Sequence, residues 1–164
     1  MSAPAERGTP ADAAAACLGQ AVHRVLEWAA AQRERPAHGA GPLASWAAAA
    51  AAEFGAADAA AVQAIAARIL SSPQCAPFFD ADNLAWSGNE VPLAAVGSGQ
   101  VLRIDRLVCT AGSEPTWWVL DYKLGAAPQH NPAYREQLAA YRRAVQALQP
   151  GEQVRAAFIS GAGE

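Results

Sequence analysis

An α/β sandwich around a small mixed sheet is the fold class this sequence predicts, and three observations predict it. Residues 12–72 are rich in alanine and carry helical periodicity. Three apolar runs between residues 89 and 124 are separated only by short turn-rich loops, which reads as an antiparallel meander. A helical segment then precedes one last apolar run, and a helix between neighbouring strands permits a parallel crossover onto the same sheet.

The elements follow in order. Residues 1–11 have no periodicity and contain two prolines, and are read as a disordered lead-in. Over 12–35, Leu18, Val22, Val25, Leu26 and Ala29 recur at three-to-four spacing, with Asp12 placed to cap the start. Residues 36–42 break that helix. A second helix over 43–54 has Trp46 as its anchor and ends at Gly55. Asp58 caps a third, which carries Val62, Ile65, Ile69 and Leu70. Residues 71–77 read as loop, and Leu84 to Trp86 begin the approach to the sheet. The strand at 89–96 is short or lies at an edge, because Pro92 has no N–H to give a central ladder. Strands follow over 100–108 and 116–124. A helix over 133–148 sets Leu138, Tyr141, Val145 and Leu148 along one side, and a last strand occupies 154–160. All this is one domain, 12–164, with a helical part at 12–72 and a core at 84–160. With no closing element after Ser160, the chain reads as a fragment of something longer.

Composition excludes several functions. At 164 residues the chain can bury a real core, and 52% hydrophobic content is ordinary for a globular protein. No apolar run approaches the roughly 18 residues needed to span a bilayer, and the first residues do not read as a signal peptide. Cys17, Cys75 and Cys109 are widely spaced with no CxxC pair, which suggests neither a disulfide framework nor a zinc site and fits a reducing cytoplasm. A net charge of -3 argues against a general nucleic-acid coat but leaves room for a local basic groove. No GxxxxGK[ST] loop is present, so no ATP site is expected.

The chemistry concentrates in the strand pair from Leu102 to Gly125. Asp105 and Asp121 sit in apolar runs, where an unpaired charge is costly unless it holds a partner or a metal. On adjacent strands of a hairpin the two carboxylates can share a face, and hard oxygen ligands select Mg²⁺ or Mn²⁺. Asp121 and Lys123 are two apart and point the same way on a strand. The chain has eleven arginines and a single lysine, Lys123. Lysine is a compact charge with an adjustable pKa, and arginine is neither.

An acidic residue followed across a hairpin by Asp-x-Lys resembles the signature of the PD-(D/E)XK nucleases. The ordered segments GQAVHRVLE, NEVPL, RIDRLV, VLDYKLG and YREQLAAYRRAV resemble, more narrowly, the RecB/AddA-type nuclease domain of bacterial RecBCD and AddAB helicase–nucleases. The likeness covers about residues 17–160. It implies a restriction-endonuclease-like core and Mg²⁺-dependent hydrolysis of DNA, with Mn²⁺ able to substitute. It also implies an exonuclease module acting on single-stranded ends in double-strand-break repair and recombination, joined to or docked on a helicase subunit. Residue by residue, it implies that His23, Asp105, Asp121 and the main-chain carbonyl of Tyr122 hold the metal, with Glu90 as a further carboxylate, and that Lys123 is catalytic. Gln137 and Tyr141 match the family's QxxxY motif. Relatives with an iron–sulphur cluster use four cysteines, so none is expected here. Leu124 stands where the family often has Thr or Ser, and Arg103 where it often has Gly.

Plainer alternatives exist for each residue. His23 alone would be a packed helix histidine, Glu90 a surface carboxylate, and Tyr141 a core residue beside Leu138 and Val145. Asp105 could pair with Arg103 or Arg106, and Asp121 with Lys123. Arg135, Arg142 and Arg143 could touch phosphates or simply be a solvated face. Trp117 and Trp118 face opposite sides, so one is core and the other free to stack on a base or to pack against the rest of a parent protein. At the level of the whole chain, the alternatives are a free-standing nuclease with another substrate, or an inactive docking domain of the same fold.

Overall fold

The computed structural model describes residues 9–34 and 43–164. Among these, three helices come first: α1 (Pro10–Glu34), α2 (Leu43–Phe54) and α3 (Ala59–Ser71). Then come strands β1 (Leu84–Ala94), β2 (Val101–Thr110) and β3 (Thr116–Tyr122), helix α4 (Pro132–Leu148) and strand β4 (Gln153–Ile159). The sheet runs β1-β2-β3-β4, antiparallel for the first two pairs and parallel between β3 and β4, with α4 making the crossover. The α/β class, the meander and the crossover are as the sequence predicts. Among the described residues no helix is long and apolar enough to cross a membrane.

Helices cover both faces, and the strand pleat decides which residue faces which. Leu120 and Tyr122 join Val22, Val25, Leu26, Ile69 and Phe79 in a core under α1–α3. Val119 and Leu107 join Leu138, Tyr141, Val145 and Val154 under α4. On the first side alanines carry much of the packing. Ala47 and Ala50 of α2 and Ala66 of α3 are fully buried or nearly so, and small side chains let these helices approach closely.

Several boundaries differ from expectation, each for a local reason. Helix α1 starts at Pro10, because proline suits the first helical position. Thr9 is the cap: its N–H and Oγ1 donate to Asp12 Oδ2 at 2.8 and 2.7 Å, and Asp12 N–H donates back to Thr9 Oγ1. Asp12 thus closes a capping box from inside the helix and does not itself start it. Asp58 caps α3 as expected, accepting from the Ala61 N–H at 3.0 Å. Asn131 caps α4, ahead of Pro132. Strand β1 has 11 residues and is not short. It lies at the sheet edge, where Pro92 needs no inward partner on its free side. Residues 1–8 of the lead-in and the break at 36–42 lie outside the described residues. The last segment is tied down: Arg68 donates to the Gly161 carbonyl at 2.9 Å, and Ser72 to that of Gly163 at 2.5 Å.

Candidate active site

The sheet register lines up three carboxylates. Asn89 faces Arg106 and Val91 faces Ile104, so Glu90 stands opposite Asp105. Arg106 faces Leu120, and one step further along the same ladder Asp105 stands opposite Asp121. Glu90, Asp105 and Asp121 therefore form a row across β1, β2 and β3. Glu90 holds a left-handed backbone, φ 50°, unusual for a residue with a Cβ and worth about 1–3 kcal/mol of strain. Its carboxylate lies 3.5 Å from Arg103.

Asp105 is fixed by the strand beside it. Its Oδ2 accepts from the Tyr122 N–H at 2.8 Å. Burial raises its pKa, and that N–H bond pulls it back. His23 reaches in from α1, its Nδ1 4.0 Å from Asp105 Oδ1, and its ring meets the edge of Tyr122 with centroids 5.1 Å apart. Burial lowers the His23 pKa, and a hydrogen bond to the Tyr122 main chain opposes this. Since the Tyr122 N–H is committed to Asp105, that partner is the carbonyl. The result is a neutral imidazole with a lone pair to offer.

Asp121 is the least comfortable member. It is 2% exposed, and its Oδ2 is buried with no hydrogen-bond partner. Lys123 Nζ lies 3.1 Å from that oxygen, an ion pair. Burial first, then the neighbouring Asp105 charge, push the Asp121 pKa up to about 6 against the pull of Lys123. Strand β3 ends at Tyr122, and Lys123 is held one step beyond it by its N–H to the Ile159 carbonyl at 3.0 Å.

These residues fit a divalent cation. His23, Glu90 and Asp105 each offer a ligand atom within 4.8 Å of the others. Carboxylates with one imidazole suit a hard ion. Asp121 stands beside this group with a buried oxygen that meets the Lys123 ammonium at 3.1 Å, and a cation would offset the repulsion between Asp105 and Asp121.

Other predicted residues divide. Gln137 Nε2 donates to Tyr141 Oη at 3.0 Å, and Tyr141 is buried within the α4 core yet feels the charges of Asp121 and Asp105. Arg135 and Arg142 are not brought to the carboxylates. Five residues after Gln137, Arg142 is turned well round the helix, where it donates to the Val154 carbonyl at 3.1 Å. With Arg143, both line a separate cavity of about 410 Å³ against β4. Trp118 packs on Phe78, and Trp117 on Trp86, at the end of β3 remote from Asp121. Neither tryptophan is left free beside the site.

Two residues went unread in the sequence. Arg106, considered there only as a partner for Asp105, is fully buried; it donates to the Phe78 carbonyl and Asn89 Oδ1 and lies over the Phe79 ring. Tyr134 carries the Lys123 ammonium 5.0 Å from its ring centroid. A signal for it was available, since residues 134, 137 and 141 form one stripe of α4.

Comparison with known proteins agrees with this geometry. The family model described as the PD-(D/E)XK nuclease superfamily matches residues 3–161. No curated protein and no solved structure matches the chain. With a match over nearly its whole length and the acidic row and lysine in place on the sheet, the chain belongs to the PD-(D/E)XK nuclease superfamily.

Proposed function

We propose that this chain hydrolyses phosphodiester bonds in DNA with Mg²⁺, which Mn²⁺ can replace. We assign it as the exonuclease module of a bacterial cytoplasmic helicase–nuclease, working on single-stranded ends in double-strand-break repair and recombination. The observation that carries the reaction is the row Glu90–Asp105–Asp121, with an unsatisfied buried oxygen beside the only lysine. The helicase context is supported by the order of the five sequence segments.

His23, Glu90 and Asp105 would hold the cation, with Asp121 and the Tyr122 carbonyl completing its surroundings. When bound, the ion supplies an activated water and offsets charge on the phosphate. Asp121 sets the position of Lys123, whose ammonium then faces the phosphate oxygens and neutralises charge building there. Tyr134 supports the same ammonium from below. Tyr141 holds the Gln137 amide at the border of the site.

The test is cleavage of end-labelled single-stranded DNA with Mg²⁺ or Mn²⁺. Asp121→Ala and Lys123→Ala should each lose about 10²–10³ in rate. Equal cutting by both variants and wild type would remove the assignment. Binding without any cutting by wild type would favour the docking role instead.

A further inference from the structure

Two cavities open at His23, and they differ in kind. One is polar, walled by Gln20, Arg24, Glu27, Glu90 and Arg103. The other, about 510 Å³, lies between α1 and the segment after β3; Ala15, Ala16, Gly19, Leu124, Pro128 and Tyr134 form its walls beside Lys123. That volume falls within the roughly 300–1,000 Å³ typical of ligand pockets. We propose that this second cavity receives one unpaired nucleobase next to the phosphate being cut, stacked on Tyr134, and that this selects single-stranded over duplex DNA. The proposal rests on the nuclease reading given above.

Three observations carry it. First, the cavity adjoins the carboxylate row, because His23 and Lys123 line it and lie against Asp105 and Asp121. A phosphate beside Lys123 must place its base on one side or the other of His23. The apolar side suits a base, whereas on the other side Arg24 is paired with Glu27 and Glu53 and Arg103 with Glu90. Second, Tyr134 is 38% exposed, although its ring also touches Lys123 and Phe158. An exposed aromatic on a cavity wall is a stacking surface that tolerates any base. Third, Gly19 sits inside α1, where glycine costs about 0.5–1 kcal/mol relative to alanine. Nothing lies within 4 Å of a Cβ built there, so no neighbour requires the glycine. What the missing side chain provides is open space at the cavity. A base held in a duplex cannot enter, because its edge is paired and both its faces are stacked.

The experiment uses the full chain and a short single-stranded deoxyoligonucleotide, with an abasic residue walked through it one position at a time. Affinity is read by fluorescence anisotropy with Ca²⁺, and cleavage separately with Mg²⁺. Wild type should lose about tenfold in affinity when one position is abasic. Tyr134→Ala should lose the same tenfold on the intact oligonucleotide and nothing further on the abasic one, while Tyr134→Phe behaves as wild type. Gly19→Leu should lose binding while melting no lower than wild type, since leucine is the better helix former. If the Tyr134→Ala and Gly19→Leu variants bind and discriminate as wild type does while the chain still cuts, the base pocket is wrong and the nuclease reading stands. If wild type neither binds nor cuts, both fall.

Discussion

Arg106 and Asp121 are both buried charges on neighbouring strands, and the fold treats them in opposite ways. The Arg106 guanidinium has a carbonyl, an amide oxygen and an aromatic face around it. Asp121 has a buried oxygen with no hydrogen bond, an adjacent carboxyl that repels it, and a lysine close by. The first arrangement is complete as it stands. The second leaves two carboxyls side by side, a repulsion that a proton or a further cation relieves. Burial alone therefore does not mark a functional residue; a buried carboxylate held against a second carboxylate does more to mark one.

The comparison breaks most easily at Arg106. Arg106→Ala leaves two acceptors without a donor and a cavity beside Phe79, and should destabilise the chain by about 3–5 kcal/mol in urea denaturation. A loss under about 1 kcal/mol would mean its contacts are not structural. Asp121→Asn should do the reverse and stabilise the metal-free chain. The folded pKa of Asp121 is raised from 3.8 to about 6, so the folded state favours its protonated form. That preference stabilises below pH 3.8 and is lost as pH rises to about 6. Above that pH the ionised Asp121 works against folding by about 3 kcal/mol. The variant's advantage should thus grow between those two pH values and be absent below them. Burial of His23 has the opposite sign, which is why the measurement is a difference between variant and wild type. Mg²⁺ at pH 8 should raise the wild-type melting temperature and erase the variant's advantage. A pH-independent difference would show that Asp121 is already satisfied. The smallest effect serves as a control. Thr9→Ala removes the α1 cap and should cost about 1 kcal/mol of stability, with cleavage unchanged.

Much of the fold was legible because alanine-rich periodicity and Gly or Pro breakers mark helix ends locally. Asp58 and Gly55 needed no tertiary knowledge. Pro92 pointed correctly to an edge strand, whereas Pro10 reads as part of the lead-in although the chain uses it to open a helix. The carboxylate row was legible in part, since two residues on adjoining strands can be aligned from their spacing. Glu90 was legible as a further carboxylate, but its place opposite Asp105 depends on the β1 register and a left-handed backbone that no spacing reveals. The direction of Arg135 and Arg142 was open until α4 was set against β4. Lys123 stood out through composition alone.

The bonds from Arg68 and Ser72 to Gly161 and Gly163 have a consequence in time. They join residues more than ninety positions apart, so they form late in synthesis. The first three helices leave the ribosome long before the sheet that covers their apolar side exists. His23 travels with those helices, and Asp105 and Asp121 with the strands. A nascent chain holding the carboxylate hairpin but not yet β4 and its following segment can pack Leu120 and Tyr122 on the helices but lacks these two bonds. The last ties between the helices and the segment after the sheet therefore wait until nearly the whole match to the superfamily has been made.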